Sequence, residues 1–216
     1  MSRVWYTSDL HFLHKRVSEI RGFETTEEHD QHIIDEWNRV VEKKDVVYIL
    51  GDIAVNRYRE ALDIIKALPG RKHLVAGNHD IIHPMHEKGQ GRAELERWLD
   101  VFETVQPFSY RRLGKHKLLL SHFPYSEWGD GAHREGSRYD QFRLPDHGYP
   151  LMHGHTHGKE TFHGVSFEQS WEHINNQVHV GWDAWGTLVP QETVLEWLDE
   201  TYLYISAEDY KQLTGE

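Results

Sequence analysis

A buried run, Lys72-His73-Leu74-Val75-Ala76, breaks off at Gly77-Asn78-His79-Asp80. A short apolar run closed by a turn signal reads as a strand. Two earlier runs end the same way. Arg3 to Ser8 leads into Asp9-Leu10-His11, and Asp45 to Leu50 leads into Gly51-Asp52. Between the runs lie helical spacings: Ile33, Ile34, Trp37, Val40 and Val41, then Ala61, Leu62, Ile64, Ile65 and Leu68 before Pro69-Gly70. Strand, helix, strand, helix, strand is the alternation of a parallel α/β sheet, whose functional groups gather at the carboxyl ends of its strands. All three polar turns stand there.

The rest of the chain reads less regularly. Leu95, Trp98, Leu99 and Phe102 suggest a third helix. Phe108 to Leu113 and Lys117 to Leu120 flank a Gly114-Lys115 turn, which is a hairpin signal. The hairpin ends at Ser121-His122-Phe123-Pro124, where Pro124 stops the strand. Tyr125 to Tyr149 has no period; Arg134, Arg138, Tyr139 and Arg143 there suit a phosphate or a base, or equally a solvated loop. In Pro150 to Gly158, His153, His155 and His157 alternate, and an extended backbone would put all three on one face. Val178 to Asp183 reads as a strand and turn, and Val194, Trp197 and Leu198 as a C-terminal helix. Without repeat or linker, residues 1–216 read as one domain.

Composition narrows the chemistry. Twenty-four basic against 35 acidic residues give a net charge of −11, which argues against duplex nucleic acid as a partner. The absence of Cys excludes disulfides, thiolate zinc and Cys nucleophiles, and 18 His then point to metals held by oxygen and nitrogen. No signal-peptide pattern and no long apolar segment is present, so a soluble, cytoplasmic protein without membrane contact is expected.

Singly, each polar turn has an ordinary reading as a solvated loop. Together, Asp9, His11, Asp52, Asn78, His122, His155 and His157 are too many ligands for one tetrahedral zinc. They suit two divalent ions, with Asp52 as the bridging carboxylate. Two metals roughly 3.5–4 Å apart acidify water, hold phosphoryl oxygens and stabilise the charge of an in-line displacement. His79, beside a ligand, is then free to protonate a leaving group within the ordinary titration range of an imidazole. Asp80 is the expected partner that fixes its tautomer.

The ordered set Asp9-Leu10-His11, Gly51-Asp52, Gly77-Asn78-His79-Asp80, His122 and Gly154-His155-Thr156-His157 resembles the calcineurin-like metallophosphoesterase family. Thr7 to Phe12 followed by His14, Leu68 to Lys72, and Val180 to Trp185 look like its small single-domain bacterial and phage members. The resemblance implies an α/β fold, a four-layer α-β-β-α sandwich with metals at one end of the sheets. It implies one metal on Asp9, His11, Asp52 and His157, the other on Asp52, Asn78, His122 and His155, and His79 as proton donor. Gly51-Asp52-Ile53-Ala54-Val55-Asn56 lacks the further Asp that many members carry. The expected activity is hydrolysis of small phosphodiesters such as 2′,3′-cyclic nucleotides by a metal-bridging hydroxide. Mn²⁺ is the favoured metal, with Fe, Zn, Ni or Mg as alternatives. A phosphomonoesterase, a nuclease or a protein phosphatase on the same site, and a non-enzymatic metal-binding module, are the rival readings. The expected partner is a small phosphoester, with nucleotides among the candidates; the oligomeric state stays open.

Overall fold

The structure, a computed structural model, describes residues 2–126, 130, 138–161 and 176–203. The first sheet takes β1 (Val4–Thr7), β2 (Val46–Ile49), β3 (Arg71–Val75) and β4 (Thr104–Gln106) in the order β4-β3-β2-β1, all parallel. β9 (Val189–Pro190) closes the β1 edge in the antiparallel sense. The alternation of side chains explains why so few residues suffice. Trp5, Val47, Ile49 and Leu74 face one core, while Tyr6, Leu50 and Val75 face another.

Helices fill the first core. These are α2 (Thr26–Val40), α3 (Tyr58–Ala67) and α4 (Arg92–Leu99), after the short α1 (Lys15–Ile20). Ile33 and Trp37 of α2, Ala61, Leu62 and Ile65 of α3, and Trp98 of α4 are buried there. Trp37 also donates Nε1–H to the Pro69 carbonyl at 3.0 Å. α2 begins seven residues before the apolar spacing becomes visible. A capping box starts it: the Thr25 hydroxyl accepts from the Glu28 amide at 3.1 Å, and the Glu28 carboxylate accepts from the Thr25 amide at 3.3 Å.

The second sheet runs β5 (Phe108–Leu113), β6 (His116–Ser121), β7 (Leu151–His153) and β8 (Gln177–His179). β5 and β6 form the expected hairpin, and β7 and β8 add in parallel. Leu113, Leu118, Leu120, Met152 and Val178 turn toward the first sheet and make the second core, joined by Val194, Trp197 and Leu198 of α6 (Gln191–Leu203). Tyr125, just after β6, donates its amide to Gln177 Oε1 at 2.9 Å and its hydroxyl to the Tyr149 carbonyl at 2.7 Å. This is the mixed α/β two-sheet fold that the resemblance implies. Of the four candidate residues in the Tyr125 to Tyr149 stretch, Arg134 lies outside the described residues. No described helix is long and apolar enough to cross a membrane.

Candidate metal centre

The strand ends of both sheets meet at one rim. The Asp9 amide donates to the Gly51 carbonyl at 3.0 Å, His11 to Asp52 at 3.1 Å, Gly154 to His122 at 3.0 Å and Trp182 to Ser8 at 3.0 Å. The extended backbone expected at His155 and His157 is corrected here, and other strand ends share the departure. Asp9, His11, Asp52, His155 and His157 all have left-handed φ, between 50° and 73°. Each such residue costs roughly 1–2 kcal/mol, and strain of this kind concentrates at functional sites. The left-handed steps turn the side chains inward where a strand would have alternated them.

Two glycines make the crowding possible. Gly51 has φ 89°, and a Cβ there would stand 2.5 Å from Gly77 Cα. A Cβ on Gly154 would stand 2.0 Å from Ser8 Oγ and 2.4 Å from Asp9 Oδ2.

Asp9 and Asp52 use their oxygens alike. Asp9 Oδ2 accepts from the His155 amide at 3.0 Å, while its Oδ1 is buried with no hydrogen-bond partner. Asp52 Oδ1 accepts from the His79 amide at 2.9 Å. Its Oδ2 faces His122 Nε2 at 3.5 Å and His11 Nε2 at 3.8 Å. One oxygen of each anchors to main chain and the other points into the cluster. Asp9, His11 and His157 bring ligand atoms within 4.8 Å of one another, and so do Asp9, Asp52 and His122.

The imidazoles follow the same logic. His122 Nδ1–H donates to the Leu50 carbonyl at 2.7 Å and His157 Nδ1–H to Asp183 Oδ2 at 2.7 Å, so each aims an Nε2 lone pair inward. His155 places Nε2 on Asp130 Oδ1 at 3.2 Å and turns Nδ1 inward. The acceptors then crowd together. His122 Nε2 stands 3.0 Å from Asn78 Oδ1 and 3.2 Å from His155 Nδ1, and His157 Nε2 stands 3.1 Å from His11 Nε2. Acceptors this close fit a cation between them; the protons of His122, His155 and His157 are spent outward, while His11 Nδ1 is buried with no hydrogen-bond partner. The donor set therefore suits divalent metals, and all seven expected ligands are brought to one cluster.

Electrostatics agrees. Burial, and then Asp9, push Asp52 well above the usual carboxylate range. Burial works to raise Asp9 too, but His157, His122 and His11 hold it below that range. Burial lowers His11, and burial with His122 lowers His155 to about 3. His157 goes the other way: burial works to lower it, but Asp183 and Asp9 outweigh burial and raise it. Facing carboxylates with inward imidazole nitrogens are a set that a cation stabilises.

Three expectations change. Asp80 does not partner His79. Its Oδ2 accepts from the amides of Gly77 at 2.7 Å and Asp52 at 2.9 Å, and its Oδ1 from Ile53 at 3.0 Å. It ties the turn after β3 to the turn after β2. Burial and Asp52 push it up to about 7 while the Gly77 and Ile53 amides oppose them; a cation on Asp52 would remove part of that push. His79 stands at the mouth, its side chain 42% exposed and its Nε2 3.9 Å from Asp52 Oδ2. Burial, ahead of His122, lowers it to about 4, below the working range expected for it. His153 does not join His155 and His157. It stays on β7, fully buried, its ring 5.4 Å from His179.

Sequence reading also missed three residues. Asp183, in α5 (Trp182–Trp185), and Asp130 each hold a cluster imidazole, and Arg21 holds Asp183. Arg21 and Asp183 are 162 positions apart, so no local pattern couples them.

The chain is 39% identical over 208 residues to the Gene 66 protein of Mycobacterium phage D29, covering 93% of this chain and 98% of that protein. It is 40% identical over 208 residues to the Gene 66 protein of Mycobacterium phage L5, covering 91% and 94%. Among solved structures it is similar to the protein of unknown function AQ665 from Aquifex aeolicus. That likeness has TM-score 0.64 at 22% identity, over 91% of this chain and 100% of the other, and bears on the fold. The family model for calcineurin-like phosphoesterases matches residues 2–200, a span holding both sheets and every strand end that feeds the cluster. The chain belongs to the calcineurin-like phosphoesterase family and is a metal-dependent phosphoester hydrolase.

Proposed function

We propose that the chain is a two-metal phosphodiesterase acting on small substrates such as 2′,3′-cyclic nucleotides, with Mn²⁺ as the working metal. The observation that carries the two-metal part is the set of inward lone pairs on His122, His155 and His157, whose protons are spent outward, facing the inward oxygens of Asp9 and Asp52. Asp9, His11, Asp52 and His157 would hold one ion, and Asp52, Asn78, His122 and His155 the other. When bound, such a pair supplies Lewis acidity, acidifying water and neutralising charge on a phosphoryl group.

The chain's own residues do the rest. The left-handed strand ends orient the ligands before substrate arrives. The His79 amide holds Asp52 Oδ1, so Oδ2 stays turned inward. The His79 imidazole, half exposed at the mouth, donates to the leaving oxygen. Burial, ahead of His122, lowers its pKa to about 4, so at pH 7 only its imidazolium minority can transfer a proton to that oxygen. Its imidazolium share is then roughly a thousandth, falling tenfold per pH unit.

Preference for a diester has its own support. A phosphomonoester dianion needs spare positive charge. Arg138 and Arg143, the described arginines of the Tyr125 to Tyr149 stretch, are already bonded to Asp130. A diester monoanion asks for less.

The test is turnover with Mn²⁺ of a phosphodiester, the matching monoester, and each 2′,3′- and 3′,5′-cyclic nucleotide. Diester turnover lost in Asp52→Asn and reduced about 10²–10⁴-fold in His79→Gln, with metal content kept in the latter, is the expected result. Equal or faster turnover of the monoester would refute the diester preference.

A further inference from the structure

His155 and His157 sit two positions apart in one turn, yet they lean outward on unrelated carboxylates. His157 Nδ1–H donates to Asp183 Oδ2 at 2.7 Å. Arg21 grips Asp183 as a fork, Nε to Oδ1 at 2.9 Å and Nη2 to Oδ2 at 2.7 Å. The same guanidinium donates to the main-chain carbonyls of Asp9 at 2.7 Å and Leu10 at 3.1 Å, and meets His29 Nε2 at 2.9 Å. All five of its N–H groups are thus used. His29 in turn places Nδ1 on Asp30 at 2.8 Å, and Asp30 accepts from the Leu13 amide. Arg21 fixes the backbone of one ligand and the ring of another at once.

The other flank has a different brace. His155 Nε2 meets Asp130 Oδ1 at 3.2 Å. Asp130 accepts from Arg138 Nε at 2.5 Å and from Arg143 Nη2. Arg143 Nε also donates to the Arg138 carbonyl at 2.9 Å. Among the described residues the two braces share no member. One joins α5 to α2 and to the ends of α1 and β1; the other is built from residues between β6 and β7.

We propose that these braces are two separate positioning devices, each setting the affinity of one metal position, so that either metal can be weakened alone. The proposal rests on the two-metal reading. A carboxylate behind a ligating imidazole fixes its tautomer and orientation, and losing it costs on the order of 10–100-fold in metal affinity. Asn at position 183 would turn an NH₂ group toward Arg21 or His157, and Asn at 130 would do so toward an arginine or His155.

The experiment titrates Mn²⁺ into the chelator-stripped full chain, followed by calorimetry and by the electron paramagnetic resonance of the bound ion. Wild type should show two binding steps and the spectrum of a coupled pair. Asp183→Asn should weaken one step about 10–100-fold and leave the other unchanged, and Asp130→Asn should do the reverse. At limiting Mn²⁺ both should show an isolated ion. His157→Ala and His155→Ala assign the steps: the first must match Asp183→Asn, the second Asp130→Asn. Arg21→Lys keeps the charge without the fork and should follow Asp183→Asn. If it fails to fold, the two Asn variants decide alone. Either Asn variant weakening both steps equally, or neither step, overturns the proposal. A wild type with one step or none overturns the two-metal reading and this proposal with it.

Discussion

Every oxygen ligand of the cluster comes from the first sheet, which adds one imidazole, His11, while the second sheet supplies imidazoles alone. Asp9, Asp52 and Asn78 follow β1, β2 and β3, whereas His122 follows β6 and His155 and His157 follow β7. The two sheets are also built differently. The first is covered by three helices, with Trp37 and Trp98 fully buried beneath them. The second shares its inner face, but its edge strand β5 leaves Phe108 54% and Tyr110 59% exposed. Hard anionic ligands therefore stand on the better-packed half, where misplacement would leave a buried charge unpaired. The half that supplies only imidazoles, and no carboxylate ligand, has the looser cover.

The sharpest way to break this comparison is at Asp80. Its carboxylate accepts from the Gly77, Asp52 and Ile53 amides, which lie beyond the ends of β2 and β3. A buried amide left without an acceptor costs roughly 1–3 kcal/mol, so Asp80→Ala, which strands three, should lose about 3–9 kcal/mol in urea unfolding. A loss under about 1 kcal/mol, with activity gone, would return Asp80 to a role beside His79.

Trp37→Ala should follow, at about 3–5 kcal/mol, because it removes a fully buried indole from the helix-covered face. A smaller cost than a truncation in the second core, such as Leu120→Ala, would reverse the ranking of the two halves.

Asp45 sharpens the comparison through pH. It stands just before β2 and accepts from the Arg3 amide at 2.8 Å, the Glu42 amide at 3.0 Å and Trp5 Nε1 at 3.1 Å. Burial works to raise its pKa, but those three donors outweigh it and hold the carboxyl below its usual value. Its contribution is therefore complete above the unfolded value of about 3.9 and is lost as pH falls through the lower folded value. Asp45→Asn should cost about 1–2 kcal/mol at pH 7, and the gap to wild type should close on acidification. A gap that widens on acidification would contradict the sign.

Tyr110→Ala, on the exposed edge, is the smallest expected effect, within about 0.5 kcal/mol. A larger loss of stability that depends on protein concentration would mean that this face is covered in solution.

How much of this could be read in advance follows from the same contrast. β1, β2 and β3 with their helices were legible because apolar period and turn chemistry are local properties. So were the seven cluster residues, since each sits where a strand pattern stops. What escaped is what depends on direction. Alternation placed His153 with His155 and His157, but the left-handed steps at 155 and 157 rotate those two away from the strand's face. Adjacency paired Asp80 with His79, yet nearby amides without other acceptors claimed both its oxygens. Arg21, Asp130 and Asp183 have no local signature, because their partners lie 8 to 162 positions away.

Asp80 has one more consequence, for exchange with solvent. The turns after β2 and β3 belong to no strand or helix, and by that measure their amides would trade hydrogen for deuterium early. The amides of Asp52, Ile53 and Gly77, though, point at a buried carboxylate that is 0% exposed. They can exchange only when both turns open together. Irregular in conformation, this rim should exchange as slowly as the strands it closes.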